Sequence, residues 1–199
     1  GRRTVHRPPA APERAGSAPR PSPADRPPAR ATSARGAQGG RARAPRSLDE
    51  ATREKLVALL NARLADTFDL YSQLKQAHWS VRGSDFIQLH ELYDTVAESV
   101  LEFVDEIAER AAALGGLATG TVRMAADATT LDEYPLDAIA GEDTVRVVAD
   151  RLAAYGAAVR EAIEVTDSEL GDMDSADMFT EISRSIDKHL WFVEAHLQA

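Results

Sequence analysis

One stretch limits what this chain can become more than any other: His78–Glu109, reading HWSVRGSDFIQLHELYDTVAESVLEFVDEIAE. Two histidines and several acids recur in it at helical intervals. His90 and Asp94 are four apart, as are Asp105 and Glu109, and residues four apart share a helix face. On a wheel turning ~100° per residue over Phe86–Leu114, with His90 at zero, Asp94 falls near ~40°, Asp105 near ~60° and Glu109 near ~100°. The apolar residues Phe86, Leu89, Tyr93, Val96, Val100, Val104 and Ile107 gather on the other side of His90. Such a helix packs a core with one face and carries imidazole and carboxylate on the adjoining arc.

Length decides how that arc can work. Asp94 and Asp105 are separated by ~16 Å along a helix that rises ~1.5 Å per residue. Metal–ligand bonds are only ~2 Å long. One ion therefore cannot touch both ends of the arc within one chain. A second copy of the helix, antiparallel about a two-fold axis, brings His90 and Asp94 of one chain against Asp105 and Glu109 of the other, and makes two such sites.

His78 lies on the apolar stripe of the preceding segment, Leu56, Leu60, Leu64, Tyr71, Leu74, His78 and Val81. The turn Val81–Asp85 reverses the chain and lets His78 reach the neighbourhood of His90. The expected ligand set is His78, His90, Asp94, Asp105 and Glu109. Two imidazoles and three carboxylates without sulfur suit Fe, Mn or Zn rather than Cu(I) or an iron–sulfur cluster. Taken singly, each histidine reads as core and each acid as solvated surface; five in one arc and one adjoining turn do not.

In chain order, residues 1–47 hold eleven arginines, no lysine and two acids, Glu13 and Asp25, a net +9; overall the chain carries −9, so the remainder carries −18. Nine of the ten prolines are in this segment, and Val5 is its one large apolar residue. It cannot bury enough surface to offset its ordering entropy, so a disordered tail is expected over 1–47, with a folded domain over 48–199. It has no apolar core of a secretory signal, and its prolines oppose an amphipathic transit helix. Its arginines, Arg2, Arg3, Arg7, Arg14, Arg20, Arg26, Arg30, Arg35, Arg41, Arg43 and Arg46, are candidate phosphate contacts for salt-sensitive, sequence-independent DNA binding. The acidic body would repel DNA, which leaves attachment to the tail. A merely solvated tail is the competing reading.

The periodicity predicts four helices: about Asp49–Arg82; about Asp85–Leu114, with Ser84 or Asp85 as N-cap and Gly115-Gly116 as the stop; about Asp143–Thr166; and about Ser175–Leu197. A long connection spans 117–142. Four amphipathic helices with one long crossover indicate an all-α, ferritin-like four-helix bundle. The acids Asp167, Glu169, Asp172, Asp174 and Asp177 fall in a predicted loop, as helix-start charges or as a cation entry path. Trp79 and Trp191 read as core. His189, His196 and His6 have no ligand spacing. There is no cysteine, and no run of ~18 apolar residues to span a membrane.

KQAHWSVRG, FIQLHELYD, DEIAER, ALGG, YPLD (Tyr134–Asp137) and SRSIDKHLWFVEAHL together resemble the Dps family, DNA-binding proteins from starved cells or mini-ferritins, over about residues 48–199. The resemblance implies four-helix subunits with a short crossover helix across a two-fold interface, assembled into a hollow dodecamer. It implies a ferroxidase that uses hydrogen peroxide to oxidise Fe(II) and stores the ferric mineral. Its centres would hold two irons between subunits, with His78, His90 and Asp94 from one and Asp105 and Glu109 from the other. It implies an iron-entry pore near the 167–177 acids and a cytoplasmic, nucleoid-associated protein. Di-iron bundles that use Glu-x-x-His pairs within one subunit are a poor match, because no Glu-x-x-His occurs. A DNA-compacting shell with an inactive or zinc-filled site is the alternative in another class.

Overall fold

The computed structural model describes residues 48–198. The expected tail, its eleven arginines and His6 lie outside the described residues. Five α-helices follow in order: α1 Glu50–Ser80, α2 Phe86–Ala113, α3 Val122–Ala128, α4 Gly141–Glu164 and α5 Met173–Glu194. A single π turn, Val165–Glu169, extends α4, and a 3-10 turn, Ala195–Leu197, closes α5. No strand occurs among the described residues; Arg82 and Ala140 form a lone parallel bridge. No helix among them is long and apolar enough to cross a membrane.

Each boundary has a local cause. The Asp49 carboxylate accepts from Thr52 N at 2.8 Å and caps α1. Gly83, at φ +124°, makes the reversal between α1 and α2 that a side chain would resist. Asp85 stands at the N-cap of α2 but makes no side-chain capping bond. Gly115, at φ +83°, ends α2, and its neighbour Gly116 lies where a Cβ would sit 2.4 Å from the Val57 methyls. The Gly-Gly pair thus stops α2 and lets its end close on the start of α1.

Cross-helix contacts fix the bundle. Lys75 faces Asp94 and Asn61 reaches Leu117, so α1 and α2 run antiparallel. Tyr155 of α4 meets Thr67 of α1, and Ser185 and Ser175 of α5 meet Ser99 and Arg110 of α2. The core holds Leu56, Leu60 and Leu64 of α1; Tyr93, Val96, Val100 and Ile107 of α2; Val148, Leu152 and Val159 of α4; and Phe179, Ile182 and Ile186 of α5. Each such side chain contributes about 1.5–3 kcal/mol by leaving water. Two buried tyrosines bond core threonines, Tyr93 to Thr144 at 2.9 Å and Tyr155 to Thr67 at 2.7 Å. Burial pushes the Tyr93 phenol up to about 12, so both hydroxyls stay neutral.

The 117–142 connection contains its short helix at Val122–Ala128, ahead of the YPLD turn. The wholly buried Asp66 of α1 anchors it by accepting from Thr130 N at 2.7 Å. Arg151 of α4 donates to the carbonyls of Asp132 and Glu133 at 2.9 and 3.0 Å.

Four expectations change. Phe86 is 43% exposed rather than core, and Trp79 and Trp191 are 69% and 63% exposed rather than packed inside. The predicted 167–177 loop is mostly helical, because the π turn prolongs α4 and α5 begins at Met173.

His189 sits on the buried stripe of α5, 8% exposed, with Nδ1 buried and unpartnered. Burial, helped by the Lys188 charge, lowers its pKa from the ordinary 6.5. The unfolded chain therefore binds this proton more readily, and stability falls as pH drops through 6.5 toward the lower folded value. His189→Phe is expected to remove that loss and add about 1 kcal/mol by deleting an unmet polar atom. Thermal melts at mildly acidic and neutral pH check it; an unchanged pH dependence would refute it.

Candidate metal centre

His78 occupies the last turn of α1 and His90 the second turn of α2, so the Val81–Asp85 reversal sets them face to face. Their rings stack with centroids 3.6 Å apart and planes 20° from parallel. The hydrogen bonding is crossed. His78 Nδ1 lies 2.7 Å from the His90 carbonyl, and His90 Nδ1 lies 2.9 Å from the His78 carbonyl. A carbonyl oxygen only accepts, so each Nδ1 carries the proton and donates. Each Nε2 then keeps its lone pair, the tautomer a metal ion requires. Phe86 packs on His90 at 5.0 Å between centroids and limits that ring's rotation.

Asp94 follows one turn after His90. Its Oδ1 accepts from the Lys75 ammonium, which comes one turn before His78 on α1. Lys75 holds the Asp94 carboxyl below its ordinary range, first by this hydrogen bond and then, after an offset from burial, by its charge; His78 and His90 add to it.

Asp105 and Glu109 are exposed on the distal half of α2. They stand in a strongly acidic region, where burial and then the charges of Glu181, Glu102 and Asp105 raise the Glu106 pKa. Among the described residues no three of His, Cys, Asp and Glu come together around one ion position. The chain thus brings together His78 and His90, with Asp94 a turn away, and leaves Asp105 and Glu109 as a separate pair.

The 167–177 acids divide. Asp167, Glu169, Asp174 and Asp177 are exposed. Asp172 is buried, accepting from Arg110 at 2.7 and 2.8 Å, while Arg110 Nε donates to Ser175 at 2.9 Å. Asp172 is committed to this internal pair and is not available to a passing cation. Lys75 and Arg110 are the two site-adjacent residues that the sequence pattern did not single out. Lys75 carried a signal, its three-residue spacing before His78. Arg110 carried none, because its partner is 62 residues away.

The ferritin-like domain family profile matches residues 57–199. A DNA protection during starvation protein of Agrobacterium fabrum is 41% identical over 143 residues, covering 72% of this chain and 88% of that protein. Among solved structures, DpsC from Streptomyces coelicolor is similar at a TM-score of 0.74 and 33% identity, covering 79% of this chain and 92% of that one. Mycobacterium smegmatis Dps is similar at a TM-score of 0.75 and 29% identity, covering 79% and 94%.

Proposed function

This chain belongs to the Dps family of ferritin-like proteins, and from that premise we propose that it is a ferroxidase and iron store that also binds DNA. Fe(II) is the substrate and hydrogen peroxide the oxidant. Two Fe(II) each give up one electron, and the peroxide O–O bond takes both electrons and two protons to leave two waters. His78, His90 and Asp94 of one subunit and Asp105 and Glu109 of its two-fold partner hold the iron pair. The subunits assemble as a dodecamer in the cytoplasm.

The observation that carries this reading is the crossed histidine pair. Two backbone carbonyls fix both Nε2 atoms as acceptors before any ion arrives. Core packing alone does not ask for stacked, half-buried imidazoles whose donor nitrogens are both taken by backbone carbonyls, with a carboxylate one turn away. The separation of Asp105 and Glu109 supports a partner chain, since one ion cannot bridge ~16 Å. Carboxylates suit the ferric product, and imidazoles suit the first Fe(II). Asp167, Glu169, Asp174 and Asp177 are the proposed entry acids.

The test is anaerobic Fe(II) loading of the assembled protein followed by peroxide, with iron oxidised and peroxide consumed both recorded. Fast oxidation at about two Fe(II) per peroxide supports a paired-iron centre. Oxidation no faster than buffer would leave a DNA-binding shell with zinc or an unused site.

DNA attachment is assigned to residues 1–47, because the rest of the chain carries −18. Deleting them is expected to abolish gel shifts at moderate salt. It should also flatten the slope of log affinity against log salt, by about 0.9 for each phosphate that is no longer neutralised. An unchanged slope would refute the tail as the DNA-binding element.

A further inference from the structure

We infer that the Arg63–Asp66 pair of α1 is a positioning device for subunit pairing: it locks the strap 129–134, so that the apolar surface beside the histidine pair is presented, already shaped, to a second copy of this chain. The inference rests on the two-fold reading above and goes beyond it, because it gives a role to two side chains that hold no ion.

The strap has no helix or strand, so its backbone groups need partners from elsewhere. Side chains of α1 and α4 supply them. Asp66 Oδ1 accepts from Thr130 N at 2.7 Å and from Thr130 Oγ1 at 3.1 Å. Asp69 accepts from Thr129 Oγ1 at 2.8 Å. Gln73 Nε2 and Arg151 Nε both donate to the Asp132 carbonyl at 2.9 Å. Asp66 is wholly buried, and its Oδ2 lies 2.9 Å from Arg63 Nη2. Water could satisfy an exposed loop with no buried charge at all. A buried ion pair adds little stability over apolar residues of the same size. What Asp66 supplies is geometry, because one carboxylate oxygen fixes both the N–H and the hydroxyl of Thr130.

The strap lies within an exposed apolar surface. Eleven large apolar side chains are exposed among the described residues, and eight of them fall in 79–87 or in the 117–142 connection. The two segments meet: Trp79, Leu131 and Leu136 line one hollow, and Arg82 donates its N–H to the Ile139 carbonyl at 2.9 Å. Apolar exposure gathered in this way marks an interaction site. The occupant is a second copy of the chain. Trp79 follows His78 in sequence, and the donor set at His78 and His90 is incomplete in one chain. A copy that brings Asp105 and Glu109 to the histidines has to cover Trp79 and the strap beside it. A strap that is ordered beforehand avoids the ordering cost that a loose one would incur on pairing.

The test is sedimentation velocity of the full-length protein over a dilution series, read as the concentration at which half of the chains have left the assembly. No metal is needed. Arg63→Leu with Asp66→Leu should leave the fold at least as stable, yet raise that concentration at least about tenfold. Thr129→Val with Thr130→Val, which keeps the ion pair and removes the hydroxyls it serves, should do the same. Thr129→Ser with Thr130→Ser, which keeps the hydroxyls, should match the parent. Either the leucine or the valine double variant dissociating at the parent's concentration would overturn the inference. So would the serine double variant dissociating like the valine one, since the hydroxyls would then hold nothing. So would dilute subunits of the leucine double variant melting well below the parent's, since the pair would then act on the fold and not on pairing. A parent that is monomeric at every concentration would instead overturn the two-fold reading, and this inference with it.

Discussion

Alanine at both His78 and His90 is expected to slow peroxide-driven Fe(II) oxidation by at least about a hundredfold in protein that still assembles. Loss of groups that merely orient ligands already costs about 10–100-fold in metal affinity or activity. Here the loss would be of two proposed donors, and the rings support each other by stacking at 3.6 Å between centroids. The effect should not be additive: either single alanine removes the ring on which the other stacks, so each alone should cost most of the double effect. Neither side chain is in the buried core, so the bundle should tolerate the change. Stopped-flow measurement of ferric absorbance checks the prediction. A double variant that oxidises iron as fast as the parent would remove the histidines from the mechanism.

Asp172→Ala is expected to lower stability by about 3–5 kcal/mol, because it leaves the Arg110 guanidinium partly buried without its carboxylate. For a chain of this size that corresponds to a melting point about 10 °C lower. The network also includes Ser175, so the start of α5 and the end of α2 should loosen together. Replacing both Arg110 and Asp172 by apolar residues of similar size should recover most of the loss, since no uncompensated charge remains. If Asp172→Ala melts within about 2–3 °C of the parent, the pair has no structural weight, and Asp172 returns to the group of candidate entry acids.

How far the sequence could be read depended on the distance over which each interaction acts. The four long helices were legible, because their apolar periodicity and the Gly83 and Gly115-Gly116 breaks are local signals. The meeting of His78 and His90 was legible too, since one short turn joins their helices. The crossed hydrogen bonds were not, because they depend on the register with which α1 and α2 pack. The acids at 167–177 read as a loop since five charges in eleven residues suggest solvent. A turn of π-helix absorbed the first two of them, Asp167 and Glu169, and a distant arginine pairs with the buried Asp172. Trp79 was read as core because large aromatics usually are. Its 69% exposure places it instead on the surface, where it lines a hollow with Gln76, Leu131 and Leu136.

The division of the donor set along α2 has a consequence for the life of each newly synthesised molecule. On the proposed reading, a chain leaving the ribosome folds its bundle from contacts within itself, yet it holds only the parts of two incomplete centres, and no single pair of ends can close. The proposed peroxide chemistry would then begin only after two finished copies meet. In dilute solution the rate should rise with the square of protein concentration before it becomes linear. Abundance itself would then act as the switch, and a cell that makes little of the protein would need no inhibitor to keep it silent.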